Sequence, residues 1–202
     1  MVWSVWQHTA ARNGAGSGVA STTEHHDGFV YGAQDPKLGE IIMQDMTPQQ
    51  RKKLGNPSYK KLAQLGKQSR ERIEQQVPGL VRFVESAKKA HKRGFLKGLD
   101  GRIIASPSEK SAPNTINQSA GAIIMKRAQI IADDLGRESY GEYDWEFVLT
   151  VHDEYQAESP TDIAEGLGEV FSDSIRQAGE YYKLRVPLAG ESAVGMRWSE
   201  TH

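Results

Sequence analysis

Apolar positions along the chain change period partway through. From residue 35 to residue 93 they recur at three- and four-residue steps, the spacing of one face of a helix. "PKLGEIIMQ" predicts a short helix with Pro36 near its start. "TPQQRKKLG" predicts a second, with Thr47 as N-cap and Pro48 as its first residue, because a side-chain oxygen caps orphan amides and proline has none to cap. "SYKKLAQLGKQSRERIEQQ" and "PGLVRFVESAKKAHKRG" continue the pattern, the latter through Leu80, Val81, Val84, Ala87 and Lys88. This stretch reads as mostly helical and basic on its outer face. Residues 1–28, by contrast, are rich in Gly, Ser, Ala and Thr and hold no period for more than a few positions. They read as a poorly specified arm.

Beyond residue 93 the pattern mixes. "GFLKGLDGRIIAS" places a turn at Leu-Asp-Gly-Arg and begins a short strand at Ile103–Ile104. Ser111 is the expected cap of a long helix with Pro113 in its first turn and Ile116, Ile123, Ile124, Ile130 and Ile131 along an apolar side. "WEFVLTVHDEYQAES" reads as two strand segments meeting near Asp153, "DIAEGLGEVFSDSIRQAG" as an amphipathic helix, and "LRVPLAGESAVG" as a final strand. Helices first, then strand, helix, hairpin, helix and strand, predict an α+β half behind a helical half. No internal repeat is visible.

Composition changes this picture in three ways. The 202 residues are 38% hydrophobic and 25% charged, an ordinary globular balance with enough chain for a real core. No apolar run approaches the roughly 18–20 residues of a spanning helix, and the N-terminal residues lack the charged region of a secretory signal. Cysteine is absent, which excludes disulfides and thiolate metal sites and fits a reducing cytoplasm. The net charge of −1 hides a basic stretch between Arg51 and Arg102 and an acidic one near 133–146. Such a pairing suits a polyanion and its metals, or simply a solvated face.

Three places carry candidate chemistry. His152, Asp153 and Glu154 are either an ordinary polar turn or carboxylates raised above a sheet floor, where a hard ion such as magnesium takes one or two acids and keeps its waters. Asn114 and Gln118 lie four apart and project from one helix face. They form either an exposed polar first turn or amides able to donate to the minor-groove acceptors common to every Watson–Crick pair. "GFVYGAQDPKLGEI" is either a packing and capping device or a way to present Tyr31 to a stacking base.

Taken in order, "FVYGAQDPKLGEI" at 29–41, "KGLDGR" at 97–102, "NTINQSAGAI" at 114–123, "VHDE" at 151–154 and a terminal His202 resemble the C-terminal part of a family A DNA polymerase. This is the class of bacterial DNA polymerase I, and the likeness is greatest to the replicative polymerases of short-tailed phages. The resemblance covers roughly residues 28–202. It implies an α+β, incomplete right hand: residues 1–27 outside the family pattern, 28–96 as a helical part of the fingers, and 97–202 as a part of the palm with a short antiparallel sheet and the motif C hairpin. By the same resemblance Asp153 is a ligand of the catalytic metals with Glu154 beside it, and His152 lies near the primer 3′ end. Asn114 and Gln118 touch the template–primer minor groove, Arg102 faces the duplex, and Tyr31 stacks near the incoming nucleotide. Lys110 stands where the bacterial enzymes carry an arginine, keeping the charge without the bidentate fork. The implied reaction is template-directed nucleotidyl transfer from a dNTP, with two Mg2+ ions about 3.5–4 Å apart, in the cytoplasm (the host's, if the gene is a phage's).

The chain also departs from that pattern. No Asp-x-Ser-x-x-Glu-Leu-Arg segment, the source of the second metal-binding aspartate, appears upstream of Tyr31. Stepping back from Tyr31 in fours gives Asp27, Thr23 and Val19, where the family carries an aromatic, a lysine and an arginine that hold the triphosphate. The expectation is therefore a truncated, split or frameshifted polymerase, active only with a separate N-terminal subunit. The alternative is a catalytically inactive DNA-binding relic. A further alternative joins "EHHD" at 24–27 to "HDE" at 152–154 as an unrelated metallohydrolase site.

Overall fold

A computed structural model of the chain describes the backbone of residues 2–9 and all of residues 33–201. These fall into two compact units: one of residues 33–118, the other of residues 2–9 together with Ser119 onward.

The helical unit begins with α1 (Asp35–Asp45), α2 (Pro48–Leu54), α3 (Tyr59–Gln76) and α4 (Pro78–Lys92). Their ends follow the sequence chemistry. Thr47 and Gln50 form a reciprocal capping box: the Thr47 hydroxyl accepts from the Gln50 amide at 3.3 Å, and the Gln50 side chain accepts from the Thr47 amide at 2.8 Å. Gly55, at φ 69°, closes α2 in a conformation costly for other residues. Pro78 cannot continue the ladder of α3 and instead opens α4. Helices α1 and α3 approach at two glycines. A Cβ on Gly39 would overlap the Leu62 carbonyl, and one on Gly66 would overlap the Asp35 carbonyl. Strands β2 (Leu96–Lys97) and β3 (Ile103–Ile104) form a short antiparallel pair, followed by the start of α5 (Ala112–Tyr140). Ala87, Leu96 and Ala112 make a small core with Ala90, Ile104 and Ile116 against it.

The sheet unit holds the rest of α5, β4 (Glu146–Val151), β5 (Glu154–Glu158), α6 (Ala164–Tyr181) and β6 (Leu188–Gly195), with a 3-10 turn at Trp198–Glu200. Its four-stranded sheet also contains β1 (Val2–Thr9), in the order β4-β5-β1-β6, with every neighbour antiparallel. The mixture of helices and small sheets is α+β. One sheet face carries the core: Ile124, Met125, Ala128 and Ala132 of α5, Tyr155 and Ala157 of β5, and Leu167, Phe171, Ile175 and Ala178 of α6. Phe171 stacks on Phe147 with ring centroids 5.1 Å apart and meets Trp145 and Tyr155 edge-on at 5.7 and 5.6 Å, geometries that aromatic quadrupoles favour.

Two expectations need correction. Part of the supposed arm, residues 2–9, is a strand in the middle of the sheet. Eight residues of "VWSVWQHT" suffice because the pairing edges on both sides supply the order that the arm's sequence does not. Ile130 does not join the apolar side of α5: it lies two turns from the buried Ile123 on the same helix face yet is 52% exposed, so the cover over Ile123 does not extend to that position.

Candidate functional site

The hairpin of β4 and β5 turns through His152 and Asp153, with Val151 opposite Glu154 as the last ladder pair. His152 sits at φ 51°, a left-handed conformation that costs a non-glycine residue about 1–2 kcal/mol. Such strain persists where the surroundings over-determine it. Here the surroundings are stiff on both arms. Tyr155 is fully buried, its hydroxyl 3.0 Å from the Phe171 carbonyl oxygen and 2.6 Å from Ser174 Oγ. Burial pushes its phenol well above the ordinary pKa, with the Ser174 hydrogen bond opposing, so it stays neutral at any working pH. On the other arm the Thr150 hydroxyl donates to the Gln129 side chain of α5 at 3.2 Å. The start of β4 is clamped by Arg137, whose guanidinium lies over the Trp145 ring at 4.1 Å, donates to the Trp145 carbonyl at 3.0 Å, and pairs with Glu146 at 2.9 Å.

The turn does not present both carboxylates. His152 and Asp153 are exposed, whereas Glu154 is 4% exposed and accepts a hydrogen bond from the Gln156 amide. Strand alternation explains the split: Glu154 and Gln156 share one face of β5, while Tyr155 and Ala157 share the core face. Gln156 is no candidate by motif; its i, i+2 spacing from Glu154 is the sequence signal that pairs the two. Among the described residues no group of three or more His, Asp or Glu side chains gathers to hold a metal.

The other candidates lie in the helical unit. Asn114 and Gln118 occupy successive turns of α5, as the spacing required. Gln118 is exposed; Asn114 is partly buried, and its Oδ1 is enclosed with no hydrogen-bond partner. Arg102 ends the turn between β2 and β3, a turn closed by the Gly98 amide donating to the Arg102 carbonyl at 2.8 Å. Its guanidinium meets Asp100 at 2.6 Å, and that hydrogen bond holds the Asp100 carboxyl below its usual range. Lys110 is exposed and lines a cavity of about 390 Å³ whose wall includes the Arg70–Asp35 ion pair at 2.7 Å. Tyr31, the "EHHD" run and His202 lie outside the described residues.

Comparison with known proteins shows the family that the motifs resemble. The model of DNA polymerase family A matches residues 27–200. The chain is 32% identical over 185 residues to a DNA-directed DNA polymerase of Enterobacteria phage T3 and 31% identical over 185 residues to that of Escherichia phage T7. Each match covers 87% of this chain and 25% of the relative. It is also 32% identical over 138 residues to a DNA polymerase I of Pseudomonas aeruginosa, covering 62% of this chain and 15% of that protein. The chain thus spans about a quarter of the length of the phage relatives it matches.

Proposed function

The chain belongs to DNA polymerase family A, and we propose that it supplies one half of a two-metal centre for template-directed nucleotidyl transfer. The observation that carries this reading is an exposed Asp153 on a strained turn, held by a buried, hydrogen-bonded Tyr155 behind it. A lone carboxylate needs such preorganisation to serve as a ligand, because each loosely held side chain would have to be ordered during the reaction. The donor chemistry fits magnesium in part. Asp153 is the hard oxygen ligand that such an ion takes from a single element. Glu154, engaged by Gln156, is at most an outer neighbour. The second carboxylate comes from polypeptide outside these 202 residues. Magnesium, when bound, would stabilise charge on the attacking and leaving oxygens.

The other residues hold substrate. Arg102 and Lys110 meet backbone phosphates, with Asp100 pre-orienting the Arg102 fork. Asn114 and Gln118 donate from their side-chain NH2 groups to minor-groove acceptors of the template–primer duplex. Tyr31 stacks near the incoming dNTP, and His152 lies by the primer 3′ end. The reaction would take place with DNA in the cytoplasm, the host's for a phage gene.

The test is reconstitution. The chain is mixed with a polypeptide carrying the Asp-x-Ser-x-x-Glu-Leu-Arg segment and a lysine-bearing fingers helix, and extension of a labelled primer is followed with Mg2+. Extension should appear only in the mixture and vanish with Asp153→Ala. No extension from a verified complex would overturn the catalytic reading. It would leave a DNA-holding relic, which the exposed cations Arg51, Lys52 and Lys53 of α2 favour. Its binding should fall steeply with salt.

A further inference from the structure

The two outer strands of the four-stranded sheet are finished differently. β6 carries Glu191 and the glycines Gly190 and Gly195 along its length. β4, the other outer strand, has β5 as its only neighbour among the described residues, and from Phe147 to Val151 it carries no charge. Val148, Leu149 and Val151 are exposed there. An open edge of that kind is ordinarily blunted by charge, because its free amides and carbonyls accept another extended chain. A bulge between Phe147 and Leu149 distorts the first half of β4, but Leu149 to Val151 pair regularly with Gln156 to Glu154. That regular stretch is left open to a new partner.

Beside this edge, α5 presents Lys126, Gln129, Ile130 and Asp133, which with Phe147 line an open groove of about 550 Å³. Their spacing puts them on one helix face. The two charges on that face are opposite in sign and sit at its two ends, so the midpoint between them falls at Gln129 and Ile130. Gln129 is also the residue that accepts from the Thr150 hydroxyl at 3.2 Å, and Thr150 is the centre of the open stretch of β4. A twofold axis through Thr150, perpendicular to the sheet, therefore matches strand and helix at once. It sets Thr150 beside the second copy's Thr150, and Leu149 beside the second copy's Val151, in both directions. In the helix layer it sets Lys126 beside the second copy's Asp133, again twice. A surface that fits its own rotated copy is what an isologous dimer requires, and a foreign strand needs no such palindrome.

We propose that the β4 edge and the adjoining face of α5 form a homodimer interface, in which two four-stranded sheets join edge to edge and antiparallel. The cross-strand Thr–Thr and Leu–Val pairs stabilise the join, and the two Lys–Asp pairs fix its register. The hairpin turns that carry Asp153 come to opposite ends of the new strand pair, outside the paired stretch. The inference stands on the edge itself and not on the two-metal reading.

The test is sedimentation equilibrium of the full chain across a dilution series, with circular dichroism to verify that each variant is folded. The parent chain should be a dimer that dissociates on dilution. Lys126→Asp sets like charges together at both ends and should weaken the dimer at least about tenfold, as should Leu149→Lys. Adding Asp133→Lys to Lys126→Asp restores opposite charges and should recover most of that loss, which damage to the fold would not allow. The absence of cysteine supplies a second readout. Thr150→Cys should form an intermolecular disulfide on oxidation, since opposed Cβ atoms of an antiparallel pair lie about 4.5–5.5 Å apart, close to disulfide geometry. Glu169→Cys, exposed on α6, should not. A monomer at every concentration would overturn the proposal. A dimer that the charge exchange fails to rescue, or that Glu169→Cys cross-links as readily as Thr150→Cys, would place the interface elsewhere and overturn it too. Cross-linking of the Thr150→Cys chain to the complementing polypeptide of the reconstitution, in place of its own copy, would assign the edge to that polypeptide with the same result.

Discussion

The two units are held together by different means. In the sheet unit, large side chains interlock: Trp145, Phe147, Tyr155 and Phe171 form a continuous cluster under the hairpin. In the helical unit the interior is small. Among the described residues its buried hydrophobics are Leu38, Ile73, Ala87, Leu96 and Ala112, and α2 buries nothing. Backbone contact at Gly39 and Gly66 and exposed ion pairs such as Lys92–Glu109 at 3.2 Å do much of the rest. Pairs of that kind contribute about 0–1 kcal/mol. The residue proposed to meet the reacting atoms sits on the stiff unit, and the residues proposed to follow a duplex sit on the softer one. Catalytic geometry needs stiffness; a long polyanion rewards adaptability.

The contrast is most directly broken by Phe171→Ala. Loss of the ring that three aromatics contact should cost about 4 kcal/mol. It should raise amide hydrogen exchange throughout β5 and α6 while leaving α1 to α4 unchanged. Equal loss of protection in α1 to α4 would mean that the chain unfolds as one block and that the comparison is wrong. The matching probe of the helical unit is Gly66→Ala. Its added methyl meets the Asp35 carbonyl, a backbone group that cannot rotate aside, at a cost of about 3 kcal/mol. Exchange should rise in α1 and α3 only.

The same contrast decides what could be read from the sequence. Helix boundaries at Thr47, Pro48 and Pro78 were legible because caps and prolines act locally. The β4–β5 hairpin was legible because two apolar runs converge on one polar triplet. Strand β1 was not: "VWSVWQHT" is a strand only because β5 and β6 offer it edges, and nothing local reports those. Ile130 failed for a similar reason, since an apolar stripe on a 29-residue helix does not say how far its partner extends. At the candidate site, the positions of Asp153, Asn114 and Gln118 followed from spacing and motif order. The burial of Glu154 did not, because both faces of β5 are covered and alternation predicts only one.

A smaller effect tests the hairpin's anchor. Tyr155→Phe keeps the ring contacts and the hydrogen bond from the Ser174 hydroxyl to the Phe171 carbonyl at 2.6 Å, and removes only the phenol. Stability should fall by about 1–2 kcal/mol, read from chemical denaturation. A loss as large as that of Phe171→Ala would mean that the phenol, rather than the aromatic packing, holds the hairpin.

The smallest effect separates surface charge from core in the sheet unit. Asp173 is half-exposed, and the Arg176 guanidinium, 2.6 Å away, holds its carboxyl below the usual range, aided by the Gln177 amide at 2.8 Å. A carboxylate whose folded pKa is depressed stabilises the fold above its unfolded pKa of about 3.9. It loses that contribution as pH falls through the lower folded value. Asp173→Asn should therefore cost about a few tenths of a kcal/mol near neutrality, the scale of an exposed pair. The difference from the parent chain should shrink toward zero in denaturation curves taken below about pH 3, and it should shrink at neutral pH in about 1 M salt, where the screening length is near 3 Å. Phe171→Ala should show neither dependence. If its cost followed pH and salt as Asp173→Asn does, the sheet unit would be held by charge after all, and the distinction between a packed unit and a loosely paired one would fail.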